Sequence, residues 1–215
     1  MRLTRLLASW ILVGTTLLGC SQPSVINQEV DQPSQSKGDA GIADHTMTMD
    51  LGPKDAEFDL RFIDGMILHH QGAVVMAESA LQNSSRSEIK QLAEAIIAAQ
   101  QGEIEQMQQW RNAWYPNASS DPVMYHAEMG HSMTMTPEMQ AAMMMSGDLG
   151  KADAEFDLRF IDGMIPHHEG ALDMAEQVLQ NSDRPELQQL AQEILTTQQA
   201  EIDQMKQWKQ DWYGQ

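Results

Sequence analysis

Residues Asp55 to Ala73 read DAEFDLRFIDGMILHHQGA, and residues Asp153 to Ala171 read DAEFDLRFIDGMIPHHEGA. The chain therefore carries an internal duplication at an offset of 98 residues. From Asp55–Tyr115 to Asp153–Tyr213, 40 of 61 positions are identical and no gap intervenes, so both copies share one local fold. Phe58, Phe62, Met66, His69, Ala73 and Met76 recur at spacings of three and four, which puts them on one helix face. Asn83-Ser84-Ser85 breaks that run, and Ser85-Arg-Ser-Glu88 fits a capping box opening a second helix. The stripe Leu92, Ile96, Gln100, Glu103, Met107, Trp110 and Trp114 carries this helix to a stop at Tyr115-Pro116-Asn117. Each copy thus predicts a helical hairpin with one apolar face, which it cannot bury alone. Two hairpins packed together give an all-α four-helix bundle.

The copies differ at informative places. Pro166 stands directly before His167 where copy one has Leu68, and a proline inside a helix frees a carbonyl and kinks the axis. Asp183-Arg-Pro185-Glu186 replaces the capping box, with Pro185 suited to a first helical turn. The connection from Pro116 to Ala152 is too long for a tight turn. Thr136-Pro137-Glu138 reads as a helix start, so a short extra helix is expected over Met139–Met145.

Candidate chemistry lies in sulfur and imidazole. Met66, His69 and His70 fall at i, i+3 and i+4, where side chains are neighbours on a helix surface, and Met76 lies further along the same face. Met164, His167, His168 and Met174 repeat the set. Two readings stand: ligands of a metal ion, or hydrogen-bonded core histidines flanked by packing methionines. Glu103 and Glu201 on the second helices either orient these imidazoles or sit at a half-exposed helix edge. Met107 and Met205 read as core packing.

The connector is denser still. Met124, His126, Met129, His131, Met133, Met135, Met139, Met143, Met144 and Met145 fall within 22 residues that contain no Leu, Ile, Phe or Trp, so this is not ordinary core sequence. His45, Met47 and Met49 echo His131, Met133 and Met135. Thioethers are poor ligands for zinc, magnesium, calcium or iron(III) and suit copper(I) and silver(I). Outside the cytosol they also keep their donor character where thiols would oxidise. The competing reading is an adaptable methionine surface that docks a partner.

Charge argues against two kinds of partner. With 13 Lys+Arg against 31 Asp+Glu, the formal net charge is −18, which disfavours nucleic acid and an electrostatic grip on anionic membrane. The N-terminus reads as a targeting segment: Arg2 and Arg5, an apolar run from Leu6 to Leu18, then Leu17-Leu18-Gly19-Cys20. That box resembles the bacterial lipoprotein processing site, which implies cleavage before Cys20 and lipid on it. The expected plan is a signal peptide over 1–19, a flexible tether over 20–54 and a bundle over 55–215. Within the bundle, hairpins over 55–115 and 153–213 flank a connector over 116–152.

The doubled pattern F-x-x-x-F-I-D-x-M-I-x-H-H-x-G-A-x-x-M-A spans Phe58–Ala77 and Phe156–Ala175. Each copy is followed by Q-x-E-I-x-x-M-x-x-W, at Gln101–Trp110 and Gln199–Trp208. It resembles the CopM-type family of copper-binding proteins, once known only as a domain of unknown function. The resemblance implies a ferritin-like bundle in the bacterial envelope that binds copper(I), and silver(I) with it, in copper resistance. It carries Met66, His69, His70 and Met76, and Met164, His167, His168 and Met174, as ligands. No Glu-x-x-His pair is present on the predicted helices, which separates the chain from di-iron ferritins. The expectation is a monomeric, non-enzymatic, lipid-anchored protein that sequesters copper or passes it to an envelope exporter or chaperone. The rival expectations are a structural or adaptor lipoprotein, a ferritin-like redox metalloprotein, and a zinc or iron store.

Overall fold

The computed structural model describes residues 49–215; the signal segment, Cys20, His45 and Met47 lie outside the described residues. The elements run α1 (Phe58–Asn83), α2 (Ser87–Trp114), β1 (Val123–His126), β2 (His131–Thr134), α3 (Pro137–Met144), α4 (Phe156–Asn181) and α5 (Pro185–Tyr213). The all-α bundle of two hairpins is as the duplication requires: α1 pairs with α2, α4 with α5, and α1 packs on α4 at the centre.

Neither hairpin has a core of its own. One buried cluster joins Phe58, Phe62, Ile63 and Met66 of α1 to Met174 and Val178 of α4 and Leu187 and Ile194 of α5, with Met107 of α2 beneath them. The other joins Met76 and Ala80 of α1 and Ile89 and Ile96 of α2 to Phe156, Phe160 and Met164 of α4 and Met205 of α5. The clusters exchange under the 98-residue offset, so a pseudo-twofold axis passes between α1 and α4. The same axis relates two staples between copies. Arg184 lies 4.0 Å over Trp114 and 3.1 Å from Asp59, while Arg86 lies 4.1 Å over Trp212 and 3.5 Å from Asp157.

Those staples explain why the expected capping box does not form. Arg86 is the residue before α2, and no side chain caps that helix. Ser84, not Ser85, turns the chain, its Oγ accepting from Arg86 N at 3.1 Å. Ser182 does the same for Arg184 N at 3.2 Å, and Pro185 takes the first turn of α5 as its fixed φ favours. Pro166 sits inside an unbroken α4, where its missing N–H leaves the Asp162 carbonyl without an intrahelical donor.

The duplication reaches further upstream than the aligned copies. Asp50-Leu51-Gly52 and Asp148-Leu149-Gly150 make equivalent turns: each aspartate accepts from the glycine N–H at 2.8 Å, and the glycines adopt φ of 76° and 73°. Residues 49–51, assigned to the tether by composition, pack onto the bundle. Leu51 is buried, and the Gln177 amide accepts from Leu51 N at 2.9 Å and donates to Met49 O at 2.7 Å.

The connector is ordered structure. An antiparallel hairpin pairs Val123 with Thr134 and His126 with His131. Asp64 pins it to the bundle, accepting from Val123 N at 3.0 Å while Arg111 forks onto both carboxylate oxygens. The expected extra helix is α3, capped by Thr136 Oγ1, which accepts from Met139 N at 3.3 Å. Its end lies against Gly72 of α1, where a Cβ would stand 1.6 Å from the Met144 carbonyl oxygen. Gly72→Ala is therefore expected to destabilise the protein by roughly 1–3 kcal/mol despite alanine's better helix propensity. Gly102→Ala, with nothing within 4 Å of the new methyl, is expected to stabilise by roughly 0.5–1 kcal/mol. Urea unfolding of the two variants checks this opposition in sign.

Candidate metal centre

Between the two hydrophobic clusters lies a polar layer, where α1 crosses α4. His69 and His70 come from α1, His167 and His168 from α4, and all four are fully buried. Helical spacing sends the two members of each pair in different directions. His69 and His167 turn toward each other, their ring centroids 3.8 Å apart at 45°. His70 and His168 turn toward the second helix of their own hairpin, where Glu103 and Glu201 meet their Nε2 atoms at 2.6 and 2.7 Å. Gln100 and Gln198 are buried one turn before those glutamates.

Tautomers follow from these partners. A carboxylate or carbonyl can only accept, so His70 and His168 donate Nε2–H to the glutamates, and His167 donates Nε2–H to the Met144 carbonyl at 3.1 Å. In the neutral form each of these rings carries its lone pair on Nδ1. Those Nδ1 atoms, both nitrogens of His69, and Oε1 of Gln100 and Gln198 are buried without a hydrogen-bond partner in the protein. Leaving a buried polar atom unpaired costs about 1–3 kcal/mol. So many in one layer suits a ligand with vacant coordination positions, because each lone pair would gain a partner. Burial holds His69 well below the usual imidazole range, and neighbouring His167 lowers it further; burial, with His168 and His70 next, lowers His167 to about 3. Both rings are therefore neutral at neutral pH, the form in which imidazole binds a metal.

The structure regroups the methionines. Met66 and Met76 share a face of α1, as their spacing predicts, but they belong to opposite clusters. Met76 Sδ lies 3.6 Å from where a Cβ on Gly163 would stand, and Met174 Sδ lies 3.8 Å from the equivalent point on Gly65. The thioethers beside the layer are thus Met66 with Met174 on one side and Met76 with Met164 on the other, because α1 and α4 cross about the pseudo-axis. Each pair mixes the two sequence copies.

Connector residues fall into three groups. Met144 and Met145 close over the layer: besides the Met144 carbonyl bond, Met145 Sδ and His69 Nε2 lie 3.8 and 3.2 Å from a Cβ position on Gly170. Met124, His126, His131 and Met133 share one face of the β-ribbon, since directly opposed residues point the same way. Met49, Met124, Met135, Met139 and Met143 line a cavity of about 260 Å³. Met129 is 54 % exposed at the hairpin tip and joins none of them. Among the described residues, no three His, Cys, Asp or Glu side chains are grouped to hold a metal ion, so a thioether would have to complete an imidazole site. That donor set suits a soft monovalent ion.

The sequence pattern alone missed the Met144 carbonyl, Gly72 and Gly170. The glycines could have been noticed, because H-H-x-G-A stands in both copies. The carbonyl carries no sequence signal.

Residues 59–209 match the profile of a domain of unknown function, DUF305. The chain belongs to the DUF305 family. Within it, the chain is similar to CopM, and the same shares, 72 % of this chain and 97 % of CopM, are matched in each form compared. Identity is 37 % and the TM-score 0.55 for CopM in the Cu(I)-bound form, 40 % and 0.58 in the Cu(II)-bound form, and 38 % and 0.57 in the Ag-bound form. A shorter stretch of 49 residues, 23 % of this chain, is 39 % identical to an uncharacterized protein, L153, of Acanthamoeba polyphaga mimivirus, and covers about a third (32 %) of that protein.

The neutral inner histidines make stability depend on pH. Their folded pKa is lowered, so at acid pH the unfolded chain takes up protons that the folded layer refuses. Their contribution is complete above about pH 6.5 and declines as pH falls below it, for His167 down to about 3. Replacing both residues, His69→Gln with His167→Gln, is expected to flatten the fall in unfolding free energy of metal-free protein across that window. An unchanged slope in parallel denaturation curves would contradict the burial argument.

Proposed function

We propose that this protein binds copper(I), and silver(I) with it, in the bacterial envelope, and that it sequesters the ion or hands it to an exporter or chaperone. The observation that carries the reading is the buried layer of four histidines with vacant lone pairs, flanked by thioethers, at the bundle centre. The similarity to CopM, which is known in Cu(I)-, Cu(II)- and Ag-bound forms, supports the choice of ion. The layer would hold copper(I) through His69 and His167 with neighbouring sulfur. Glu103 and Glu201 would keep His70 and His168 in the tautomer that leaves Nδ1 free. The role is binding rather than catalysis, because these groups supply ligands and supply neither a nucleophile nor a base paired with one. Envelope placement rests on the N-terminal signal and Cys20. Among the described residues no helix is long and apolar enough to cross a membrane.

Anaerobic competition of the protein with a colorimetric Cu(I) chelator, with Zn(II) in parallel, tests the reading. Retention of several Cu(I) ions with little Zn(II) is expected. Failure to retain Cu(I) against even a weak competitor would overturn it and leave the methionines as a docking surface. Two variants sharpen the test. His69→Leu should abolish the tightest Cu(I) site while keeping or raising metal-free stability, since two buried unpaired nitrogens are replaced by apolar atoms. Glu103→Gln, which frees the His70 ring, should weaken Cu(I) binding in the layer by roughly 10–100-fold through His70, measured in the same competition.

A further inference from the structure

The inner histidines have no exposed surface, so an ion cannot reach them directly from solvent. One segment of the connector touches both the layer and an outer cavity. That cavity, about 260 Å³, lies between the N-terminal segment, the β-hairpin and α3. Five of its lining residues are methionines from these three places: Met49, Met124, Met135, Met139 and Met143. Leu51 is the one branched aliphatic and Tyr125 the one aromatic in the lining. A pocket shaped for an apolar ligand would be expected to use branched and aromatic walls, whereas this one concentrates soft donors. Its charged wall does not repel a cation unopposed. Arg61 is committed to the carbonyls of Leu51 and Pro53 at 2.6 and 2.8 Å and to Asp55 at 3.1 Å, and Asp50 faces the same space.

Met143 faces two ways. Besides lining the cavity, its Sδ and Cε reach within 3.9 and 3.8 Å of a Cβ position on Gly65, the point that Met174 Sδ also reaches at 3.8 Å. Two residues on, Met145 Sδ shares the space over Gly170 with His69 Nε2. Met145 adopts a left-handed φ of 47°, rare for a residue with a side chain, which turns the chain so that successive methionines face different sites. The sulfurs thus form steps from the cavity to the histidines: the cavity methionines, Met143 beside Met174, and Met145 beside His69.

We propose that the methionine-lined cavity is where a soft monovalent ion first binds, and that Met143–Met145 pass it inward to the histidine layer. This rests on the copper-binding reading above. Each step exchanges one neutral donor for another on an ion of unchanged oxidation state; no electron moves and no covalent bond of the protein breaks. A lone pair of His69 takes the last place.

Ag(I), which needs no reductant, is the probe. Full-length protein carrying [¹³C-methyl]methionine and labelled histidine is loaded with Ag(I) and followed by NMR. The ε-methyl signals of Met124, Met135, Met139 and Met143 are expected to shift before the His69 and His167 ring signals. In Met124→Leu/Met135→Leu/Met139→Leu, one bound equivalent should be lost and filling of the histidine layer slowed by about ten-fold or more, with the same final occupancy. The single change Met143→Leu, which perturbs packing less, should slow filling and leave the outer site occupied. A histidine layer that fills at the wild-type rate in both variants would overturn the proposal and leave the binding reading intact. Wild-type protein that takes up no Ag(I) at either place would instead remove the binding reading itself.

Discussion

Four imidazoles are buried at the level where two hydrophobic clusters meet, and the packing around them follows from that placement. A polar layer in the middle of a bundle is unfavourable unless its atoms find partners. The outer rings, His70 and His168, find theirs in Glu103 and Glu201 of the paired helices. The inner rings meet across the pseudo-axis, and burial keeps them neutral. The bundle leaves these lone pairs unpaired, giving up some stability at a level where it could bind an ion. The flanking clusters are deep and mixed between copies, which lets the fold tolerate that layer.

Symmetry holds in the helices and fails in the connector. Arg86 and Arg184, Glu103 and Glu201, and Met76 and Met174 all have equivalent neighbours. The connector occurs once, so it can lie over only one side of the axis. Its Met144 carbonyl takes a bond from His167, while His69 receives none. Leu68 and Pro166 differ at the position just before these inner histidines, so the duplicated helices have also diverged beside the layer. The two inner histidines are thus chemically distinct. His69, with both nitrogens open and Met145 beside it, is the freer ligand.

Much of this was legible in the residues. The repeat and its three-four periodicity led to the four helices, and Thr136-Pro137 marked α3. The histidine pairs stand out because adjacent histidines recur in both copies. Which member points inward was not legible: adjacent helical positions differ by about 100°, so a small uncertainty in phase exchanges them. The methionine sets were grouped by copy, whereas the fold groups them across copies, because pairing depends on how α1 crosses α4. The β-hairpin was hidden by composition, since Val123–His126 and His131–Thr134 are short and dominated by residues chosen for other reasons than strand propensity. The Ser85 capping box failed for a tertiary reason, as Arg86 is drawn across to Asp157 and Trp212.

The central claim is that the buried histidine layer, rather than the connector surface alone, holds a soft metal ion. An anomalous-difference map from crystals of the Ag(I)-loaded protein tests it most directly. A peak between His69 and His167 with a methionine sulfur in the same coordination sphere is the expected result. Peaks confined to the hairpin and the outer cavity, with the histidine layer empty at saturating Ag(I), would contradict it.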